Sequence, residues 1–527
     1  MTFTASSPVS RLKHKAIIWT ISGADCSGGA GIAADIKTGH NLNVEVCHLI
    51  TANTVQNSEQ LIAINPTAVD ILDAQAQALR FDKPPSVIKI GLIANSEQVI
   101  WLVTLLKALK QQLANVIVVY DPVGQASVGG NLSSLTPLTL RPLLALIDVI
   151  TPNLLEAKQL STLSPTTIKH NPLSLAEYIV TLGCKAVIIK GGHTKSSKSN
   201  ELAKHCPDLC LQSLNSTSSP ISIKTFELSS PRIATSYSHG GGCSFASALA
   251  SFLAHGYLLR DAFTLTKAFI NQGLSLSSEF VNKHENQHYY GAFEQGEWPS
   301  KAEHFPHVIS QSAPQHRTLI KFPALDLAAK EKLGLYPVID SLAWLKRLLP
   351  LHLKVIQLRI KDKKTEALAP IIKQAVQLAR EYGCRLFIND HWQLAIKYGA
   401  YGVHIGQEDL ENADLSAIAH AGLRLGISTH GCYEFLLAKQ LQPSYLAIGA
   451  IFPTKTKDMT GQIQGLENLR QILPLSGSVP VVAIGGINQQ RLKQVWQTGV
   501  SAVAVVTAIT EAQNPITATK NMQALLD

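Results

Sequence analysis

Two glycine-rich segments in the first half of the chain could bind an anion. Residues 21–32 read ISGADCSGGAGI and follow an apolar run that predicts a strand. Residues 239–248 read HGGGCSFASA and lead into an alanine-rich helix. Glycines before a helix leave backbone N–H groups bare at the positive end of the helix dipole, where phosphate binds. The first segment lacks the Gly-Lys-Ser/Thr ending of a Walker A loop and the spacing of a dinucleotide fingerprint, so a structural turn remains its alternative.

Cys243 follows the three glycines of the second segment. At the start of a helix a thiol pKa tends to fall, so Cys243 would gain thiolate character, and a small buried cysteine that packs the helix is the alternative. The chain has 8 cysteines without a Cys-x-x-Cys pair or a compact framework. This usage indicates free thiols in a reducing environment, so a cytoplasmic location is expected.

Polar side chains in the second half fall at the ends of predicted strands. Asp390 and Asp409 each follow one strand. Arg359 ends another strand, with Lys361 just after it, and Lys457 follows a fourth. Two carboxylates facing three cations favour a diphosphate bound with Mg²⁺, which prefers hard oxygen ligands. A single aspartate at a strand end is more often a helix cap, but two in adjacent strands beside a QLR-x-K cluster favour function.

The elements that must position these residues are βα units. Short β-branched runs alternate with amphipathic segments in both halves, which predicts parallel sheets. In the first half the predicted strands are 16–21, 44–51, 87–91, 116–121, 149–151 and 186–190. In the second half they are 334–340, 354–359, 385–389, 402–405, 424–428, 445–449, 481–485 and 502–507. Eight units in about 195 residues predict a TIM (β/α)8 barrel, and a doubly wound open sheet is the alternative.

The chain is too long, at 527 residues, for one hydrophobic core. The alternating pattern weakens between residues 283 and 329, a stretch rich in His, Ser and aromatic residues. We therefore predict a first domain over 1–282, a linker over 283–329 and a barrel over 330–527. Neither half repeats the other, which indicates a fusion of two different domains.

The formal net charge of +9 favours anionic partners, either nucleic acid or phosphorylated small molecules. The basic residues are dispersed, without the aromatic interleaving of a nucleic-acid surface, so we expect small-molecule substrates and no nucleic acid. No run of eighteen apolar residues occurs, so no membrane span is expected. The short apolar run after Lys15 predicts a first strand and not a signal peptide. We also expect a homo-oligomer.

Seven motifs in the first half resemble those of the hydroxymethylpyrimidine (phosphate) kinases of the ribokinase-like superfamily. They are SG-x-D-x-SGGAGI-x-AD-x-KT at 22–38, TA-x-T-x-QN at 51–57, KIG at 89–91, DPV at 121–123, TPN-x-x-EA at 151–157, KGGH at 190–193 and HG-x-GC at 239–243. They occur in family order. The resemblance implies a three-layer α/β domain that uses ATP to phosphorylate 4-amino-5-hydroxymethyl-2-methylpyrimidine and its monophosphate.

That resemblance also implies residue roles. Cys243 would be the catalytic base, and the amides of Gly240, Gly241 and Gly242 would stabilise charge in the transition state. The aminopyrimidine would be bound by Gln56, Asp35, Gly23 and Ala30. ATP and Mg²⁺ would be held by Asp121, Asn153, Glu156 and Lys190.

Four positions depart from the kinase pattern. The family usually has Thr where Gly241 stands, Pro where Cys26 stands, and bulkier residues where Gly124 and Gln125 stand. These changes leave two alternatives for the first half. One is a module that has lost kinase activity and only binds the pyrimidine, and the other is a pyridoxal-type kinase on the same fold.

The second half looks like thiamin phosphate synthase. The motifs are QLR-x-K at 357–361, FIND at 387–390, GVH-x-GQ-x-D at 402–409, GIS at 426–428, FPT-x-TK at 452–457 and IGGI at 484–487. Ile360 replaces the Glu that is common in the first motif. The family reaction expels diphosphate to leave a pyrimidine cation, which the thiazole nitrogen captures. The product of the first half would then be the substrate of the second.

The synthase resemblance implies three groups of site residues. The pyrimidine diphosphate would be held by Gln357, Arg359, Lys361, Asn389, Ser428 and Lys457. Mg²⁺ would be bound by Asp390 and Asp409. The thiazole phosphate would be held by Thr454, Thr456, Gly486, Val506 and Thr507, partly in the common phosphate site after strands seven and eight of a TIM barrel. His404 is expected to support the site from the core.

Overall fold

The computed structural model describes residues 15–57, 60–124, 135–163, 169–192, 204–214, 222–279, 291–310, 321–328, 330–361, 365–454 and 463–526. The chain divides into two compact units. The described residues up to Ser310 belong to the first unit and those from Lys321 belong to the second.

The first unit is a mixed β-sheet with helices packed on it. Its strands are β1 Ile17–Asp25, β2 Glu45–Gln56, β3 Leu61–Pro66, β4 Val87–Ile90, β5 Ile117–Tyr120, β6 Val149–Ile150, β7 Ala186–Ile189, β8 His205–Leu214, β9 Ser222–Pro231, β10 Tyr237–His239, β11 Gly291–Ala292 and β12 His307–Ser310. Its helices are α1 Gly31–Asn41, α2 Val69–Asp82, α3 Ser96–Gln112, α4 Pro137–Leu144, α5 Leu154–Leu160, α6 Pro172–Thr181, α7 Gly241–Ala254 and α8 Leu259–Ser278.

Within the described residues, ten of these strands form one sheet in the order β12-β9-β8-β7-β6-β5-β4-β1-β2-β3. The central strands β2, β1, β4, β5, β6 and β7 are parallel, whereas β3, β8, β9 and β12 add in antiparallel pairs. Each strand predicted in this half overlaps an observed one. The parallel strands carry their loops at one edge of the sheet, where ligands bind in α/β proteins.

The predicted linker over 283–329 differs from the structure. β12 pairs with β9 and so covers the edge of the first unit's sheet, and β11 pairs with β10. Between them, the Trp298 ring packs edge-on against Phe252, with 5.0 Å between ring centroids. Residues 291–310 are therefore part of the first unit.

The second unit is a closed barrel of eight parallel strands, counted over its described residues. The strands are β13 Gly334–Ile339, β14 Val355–Leu358, β15 Arg385–Asn389, β16 Gly402–Ile405, β17 Arg424–Thr429, β18 Tyr445–Ile448, β19 Val481–Ile484 and β20 Ala502–Val505. The helices are α9 Leu342–Leu348, α10 Thr365–Glu381, α11 Trp392–Tyr398, α12 Gln407–Leu410, α13 Leu415–His420, α14 Cys432–Lys439, α15 Gly465–Ile472, α16 Gln489–Trp496, α17 Thr507–Thr510 and α18 Pro515–Ala524. The TIM barrel is confirmed and the open sheet is excluded.

The segment 321–328, which we call the strap, lies against the end of the barrel where the strands begin. Phe322 and Leu325 are buried, and Leu325 belongs to the same apolar cluster as barrel residues. Arg424, the first residue of β17, donates to both carboxylate oxygens of Asp326 at 2.8 Å. Ser444 donates to the carbonyl oxygen of Pro323 at 2.6 Å. The end of the predicted linker is thus packed on the barrel.

No described helix combines the length and the apolar character that a bilayer crossing needs.

Candidate functional sites

The two glycine-rich segments of the first unit lie against each other. Gly240, with a φ of 80°, precedes α7, and a Cβ there would lie 1.9 Å from the carbonyl oxygen of Gly29. Glycine is therefore required at 240 by both its backbone conformation and this close approach. The backbone N–H of Gly31 is close enough to Cys243 to act toward a lower pKa of its thiol. The first segment thus reaches the thiol that begins the helix.

Asp25, the last residue of β1, connects the two segments. Its Oδ2 accepts from the backbone N–H groups of Gly29 and Ala30 at 3.2 and 2.9 Å. The same oxygen lies 2.7 Å from Nε2 of His239, the last residue of β10. Burial alone would raise the pKa of Asp25, but hydrogen bonds led by His239 and Gln56 hold it well below its usual range. Asp25 is consequently a carboxylate, which only accepts hydrogen bonds.

Cys243 lies in the first turn of α7, as predicted, but its pKa is not lowered. Burial is the largest influence and raises the pKa of the thiol to about 11, although the charge of Lys89 acts in the opposite direction. Desolvation outweighs the helix terminus here, so the expected depressed thiol pKa is wrong.

Asp35, predicted to bind the pyrimidine, has no exposed surface. Lys89 donates to both of its carboxylate oxygens at 2.8 and 2.9 Å, and Ser247 donates to Oδ1 at 2.6 Å. Burial would lower the pKa of Lys89, but Asp35 and other nearby acidic groups raise it above the ordinary value. The structure therefore places Asp35 in a buried ion pair with Lys89. Gly23, also predicted to bind the pyrimidine, is buried and lies close to Leu92.

The predicted nucleotide residues form a second group around the start of α7. Nζ of Lys190 lies 2.8 Å from Oδ1 of Asp121. Burial raises the pKa of Glu156 to about 7, with Asp121 adding to the rise and Lys190 opposing it. Asn153 and Glu156 also form a capping box at the start of α5, in which the Asn153 side chain accepts from backbone N–H groups. The Oδ1 of Asn153 is thus engaged in helix capping.

The departures from the kinase pattern can be examined at two positions. A Cβ on Gly241 would meet no atom within 4 Å, so packing at the Cβ position does not exclude a larger residue there. A Cβ on Gly124 would lie 3.3 Å from the Gln159 side chain, a close contact. Gln125 and His193 lie outside the described residues.

In the barrel, a chain of hydrogen bonds leads to the first predicted metal ligand. The Gln357 amide donates to Asn389 Oδ1 at 2.7 Å, and the Asn389 amide donates to Asp390. Asp390 has a φ of 61°, a conformation that aspartate tolerates better than most residues, and its N–H donates to the His404 carbonyl. The strand end therefore holds the Asp390 carboxylate in a defined position.

The electrostatic surroundings of Asp390 include the other predicted charges. Burial and the negative charge of Asp409 raise the pKa of Asp390, whereas Arg359, His391 and Lys361 act to lower it. The carboxylates and two of the three predicted cations are thus brought together at the carboxyl ends of the strands. Lys457 and Thr456 lie outside the described residues.

The predicted thiazole-phosphate residues follow β18, β19 and β20. Gly486 has a φ of 64°, and a Cβ there would lie 2.4 Å from the carbonyl oxygen of Pro453. This close approach brings the segment that carries Thr454 to the end of β19. Val506 follows β20 directly, and Thr507 begins the short helix α17.

His404 is part of a hydrogen-bond network that the sequence did not reveal. Its Nε2 lies 2.7 Å from Ser428 Oγ and its Nδ1 lies 2.7 Å from Tyr445 Oη. Tyr445 Oη is in turn 2.9 Å from Tyr336 Oη. Burial, with a smaller contribution from Arg359, lowers the pKa of His404 to about 4. The imidazole is therefore neutral at neutral pH and orients the Ser428 hydroxyl.

Comparison with known proteins gives a separate result for each half. A family model for phosphomethylpyrimidine kinase matches residues 25–288, and one for thiamine monophosphate synthase matches residues 335–509. The thiamine-phosphate synthase of Enterobacter sp. (strain 638) is 56% identical over 34% of this chain and 86% of its own length. That of Citrobacter koseri is 50% identical over 39% of this chain and 95% of its own. A crystal structure of phosphomethylpyrimidine kinase from Clostridium difficile 630 has 29% identity, covers 49% of this chain and 99% of its own, and has a TM-score of 0.38.

A ribokinase-like unit followed by a TIM barrel defines a bifunctional transferase. The chain belongs to the phosphomethylpyrimidine kinase family in its first half and to the thiamine-phosphate synthase family in its second. It acts in thiamin biosynthesis, phosphorylating the hydroxymethylpyrimidine to its diphosphate and then coupling that product with thiazole phosphate. The kinase family implies ATP as the phosphoryl donor.

Proposed function

We propose that phosphorylation takes place where the two glycine-rich segments meet, with Cys243 as the base. The observation that carries this proposal is the position of Cys243 in the first turn of α7, where the charges of Lys89 and Asp121 act on its thiol and the Asp121–Lys190 pair borders the neighbouring Gly242. The amides of Gly240, Gly241 and Gly242 would stabilise charge on the transferred phosphoryl group. With a pKa of about 11, the thiol is a weak acid, so its thiolate accepts a proton strongly once formed.

The pyrimidine is assigned to Gln56 and Ala30, both partly exposed beside Asp25. Asp35 would contribute through Lys89 and Ser247, because its own carboxylate is enclosed. Lys190 would contact the ATP phosphates, for which an ammonium group close to a helix N-terminus is well suited.

Asp121 and Glu156 are the residues that would hold Mg²⁺ in the kinase site, with Asn153 supporting Glu156. Burial raises the pKa of Glu156 to about 7 and the charge of Asp121 adds to the rise, so a bound cation would favour the ionised form of Glu156. Mg²⁺ held by one or two carboxylates and substrate phosphates would neutralise phosphate charge. The same donor chemistry is present at Asp390 and Asp409 in the barrel, where burial and the charge of Asp409 raise the pKa of Asp390.

The barrel residues would bind the two synthase substrates side by side. The departing diphosphate would be stabilised by Arg359, Lys361 and Lys457. Gln357 and Asn389 would orient the Asp390 carboxylate beside it. Ser428, oriented by His404, would contact the pyrimidine. Thr454, Thr456, Gly486, Val506 and Thr507 would hold the thiazole phosphate. No covalent enzyme intermediate is required.

A coupled assay tests these assignments. Wild type is supplied with hydroxymethylpyrimidine, ATP, Mg²⁺ and thiazole phosphate, and is compared with Cys243→Ala and Asp390→Ala. We expect Cys243→Ala to make thiamin phosphate only from supplied pyrimidine diphosphate, and Asp390→Ala to fail even then. Cys210→Ala, a buried cysteine on β8, is the matched control. If wild type requires supplied diphosphate, the first unit is a pyrimidine-binding module, the alternative that Gly241 favours.

We further propose that the kinase part extends to Ser310 and that the synthase part begins at the strap. The cytoplasmic location and the homo-oligomer remain predictions.

A further inference from the structure

His239 is buried and directly precedes the glycines of the anion-binding loop. The Asp25 carboxylate accepts its Nε2–H at 2.7 Å. A Cβ on Gly29 would lie 2.3 Å from the imidazole Cδ2, so the ring also packs closely on the first glycine-rich segment. The hydrogen bond therefore spans the place where the two segments meet.

Asp25 is at the same time the hydrogen-bonding centre of its own segment. Besides Gly29 and Ala30, its oxygens accept from the Ser27 backbone N–H at 2.9 Å and from the Ser27 hydroxyl at 2.8 Å. The Gln56 side chain, assigned to the pyrimidine, is close enough to this carboxyl to lower its pKa, and Ala30, also assigned to the pyrimidine, donates its backbone N–H to it at 2.9 Å. One carboxylate thus connects the pyrimidine side of the site to the loop that holds the phosphoryl group.

We propose that the Asp25–His239 pair is a positioning device for phosphoryl transfer, which fixes the anion-binding loop at Gly240–Gly242 relative to the bound pyrimidine. Neither residue is a catalytic residue in this assignment, which rests on the kinase site proposed above. The pair acts through the backbone amides that follow His239 and through Gln56.

Two features give the pair this effect. The hydrogen bond is buried and one partner is charged, so it is stronger than a bond between neutral groups in water. Phosphoryl transfer depends chiefly on placement and charge stabilisation, so a displacement of about 1 Å in the loop lowers the rate by about a hundredfold. Loss of the pair is expected to act on the transfer step more than on pyrimidine binding.

The experiment compares His239→Leu, His239→Gln and Asp25→Asn in the full-length chain, with steady-state kinase kinetics at saturating ATP. We expect His239→Leu to lower kcat between about tenfold and a hundredfold while the KM for hydroxymethylpyrimidine changes less than about threefold. His239→Gln keeps an N–H donor and should recover part of kcat. Asp25→Asn should lower kcat and also raise this KM, because the carboxylate that holds the Ala30 backbone and faces Gln56 loses its charge.

A double variant and a control separate positioning from simple destabilisation. Asp25→Asn combined with His239→Leu should be no slower than the slower single variant, because both remove one interaction. His255→Leu is the matched control, since His255 is a partly buried histidine of the same unit whose Nε2 bonds to the Leu42 carbonyl oxygen. Its thermal stability should fall while kcat is kept.

The proposal is overturned if His239→Leu retains the wild-type kcat, if His239→Gln is as impaired as His239→Leu, or if the loss lies wholly in KM. Multiplicative loss in the double variant also overturns it. An inactive wild-type kinase would instead overturn the proposed function itself, so the two failures are distinguishable.

Discussion

Nζ of Lys190 lies 2.8 Å from Oδ1 of Asp121, and both side chains are within 4 Å of where a Cβ on Gly242 would stand. The pair therefore borders the amides of the anion-binding loop. Lys190 also opposes the rise in the pKa of Glu156. One cation thus influences the loop, the Asp121 carboxylate and Glu156 together.

Replacing Lys190 by Gln should raise the KM for ATP at least about tenfold, because a charge-assisted contact to phosphate is lost. The synthase reaction from supplied pyrimidine diphosphate should be unchanged. Lys185→Gln is the matched control, since Lys185 pairs with Asp148 at 2.7 Å away from the loop. If the Lys190 and Lys185 variants have the same KM for ATP, Lys190 does not contact the ATP phosphates.

Cys243 should react slowly with iodoacetamide at pH 7 and increasingly fast as the pH rises toward 11. The reason is that burial raises the pKa of its thiol to about 11, and only the thiolate is alkylated. Peptide mass spectrometry can follow Cys243 beside the exposed Cys26 in the same sample. Modification of Cys243 as rapid as that of Cys26 at pH 7 would contradict the raised pKa.

Asp35→Asn should destabilise the first unit by about 3–5 kcal/mol, because Lys89 would remain charged and buried. Hydrogen exchange of peptides from α1 and β4 measures this loss without interference from the barrel. The double variant Asp35→Leu with Lys89→Met should recover much of the stability. If Asp35→Asn has normal stability and only a raised KM for the pyrimidine, Asp35 binds the substrate directly.

The acid limb of the synthase pH profile should lie above the ordinary aspartate range, because burial and Asp409 raise the pKa of Asp390. A protonated Asp390 is a poor cation ligand, so activity should fall as the pH drops through this raised pKa. Asp409→Asn removes the repulsion and should move the limb to lower pH, with weaker Mg²⁺ dependence. Asp414→Asn, which keeps a helix cap, is the control.

The barrel should lose stability between about pH 6.5 and pH 4 through His404. Its pKa falls from 6.5 to about 4 on folding, so in this window the unfolded chain binds a proton that the folded chain does not. The loss is on the order of 3 kcal/mol when complete. Urea unfolding monitored by hydrogen exchange in β16 should show a flatter pH dependence in His404→Gln. The exposed His420→Gln should behave like wild type.

The sequence predicted the parallel strands well, because buried strands such as β7 and β18 are continuous β-branched or apolar runs. It missed the antiparallel extension. β8 carries Pro207 and Asp208 near its start, and β9 ends in polar residues, so neither has the pattern of a buried strand. Their places in the sheet depend on pairing with β7 and β12, which sequence periodicity does not contain.

The candidate sites could also be predicted only in part from the sequence. Motif spacing located Cys243, Lys190 and Asp390 correctly at helix and strand ends. The motif assigned Asp35 to substrate binding because a motif gives the type of a residue and not how deeply its side chain is buried. The burial of Asp35 depends on its ion pair with Lys89, which lies on β4. Likewise, the pairing of Asp25 with His239 joins residues that are 214 positions apart.

The strap has a consequence for how these two enzymes could be joined or separated as genes. A barrel beginning at residue 330 would lack Phe322, Leu325 and Asp326, and would leave Arg424 and the apolar base of the barrel open to water. A first unit ending at residue 282 would lack β12 and expose the edge of β9, where chains aggregate. The recombination point that preserves both proteins lies between Ser310 and Lys321, so modular exchange in this fusion is confined to that interval.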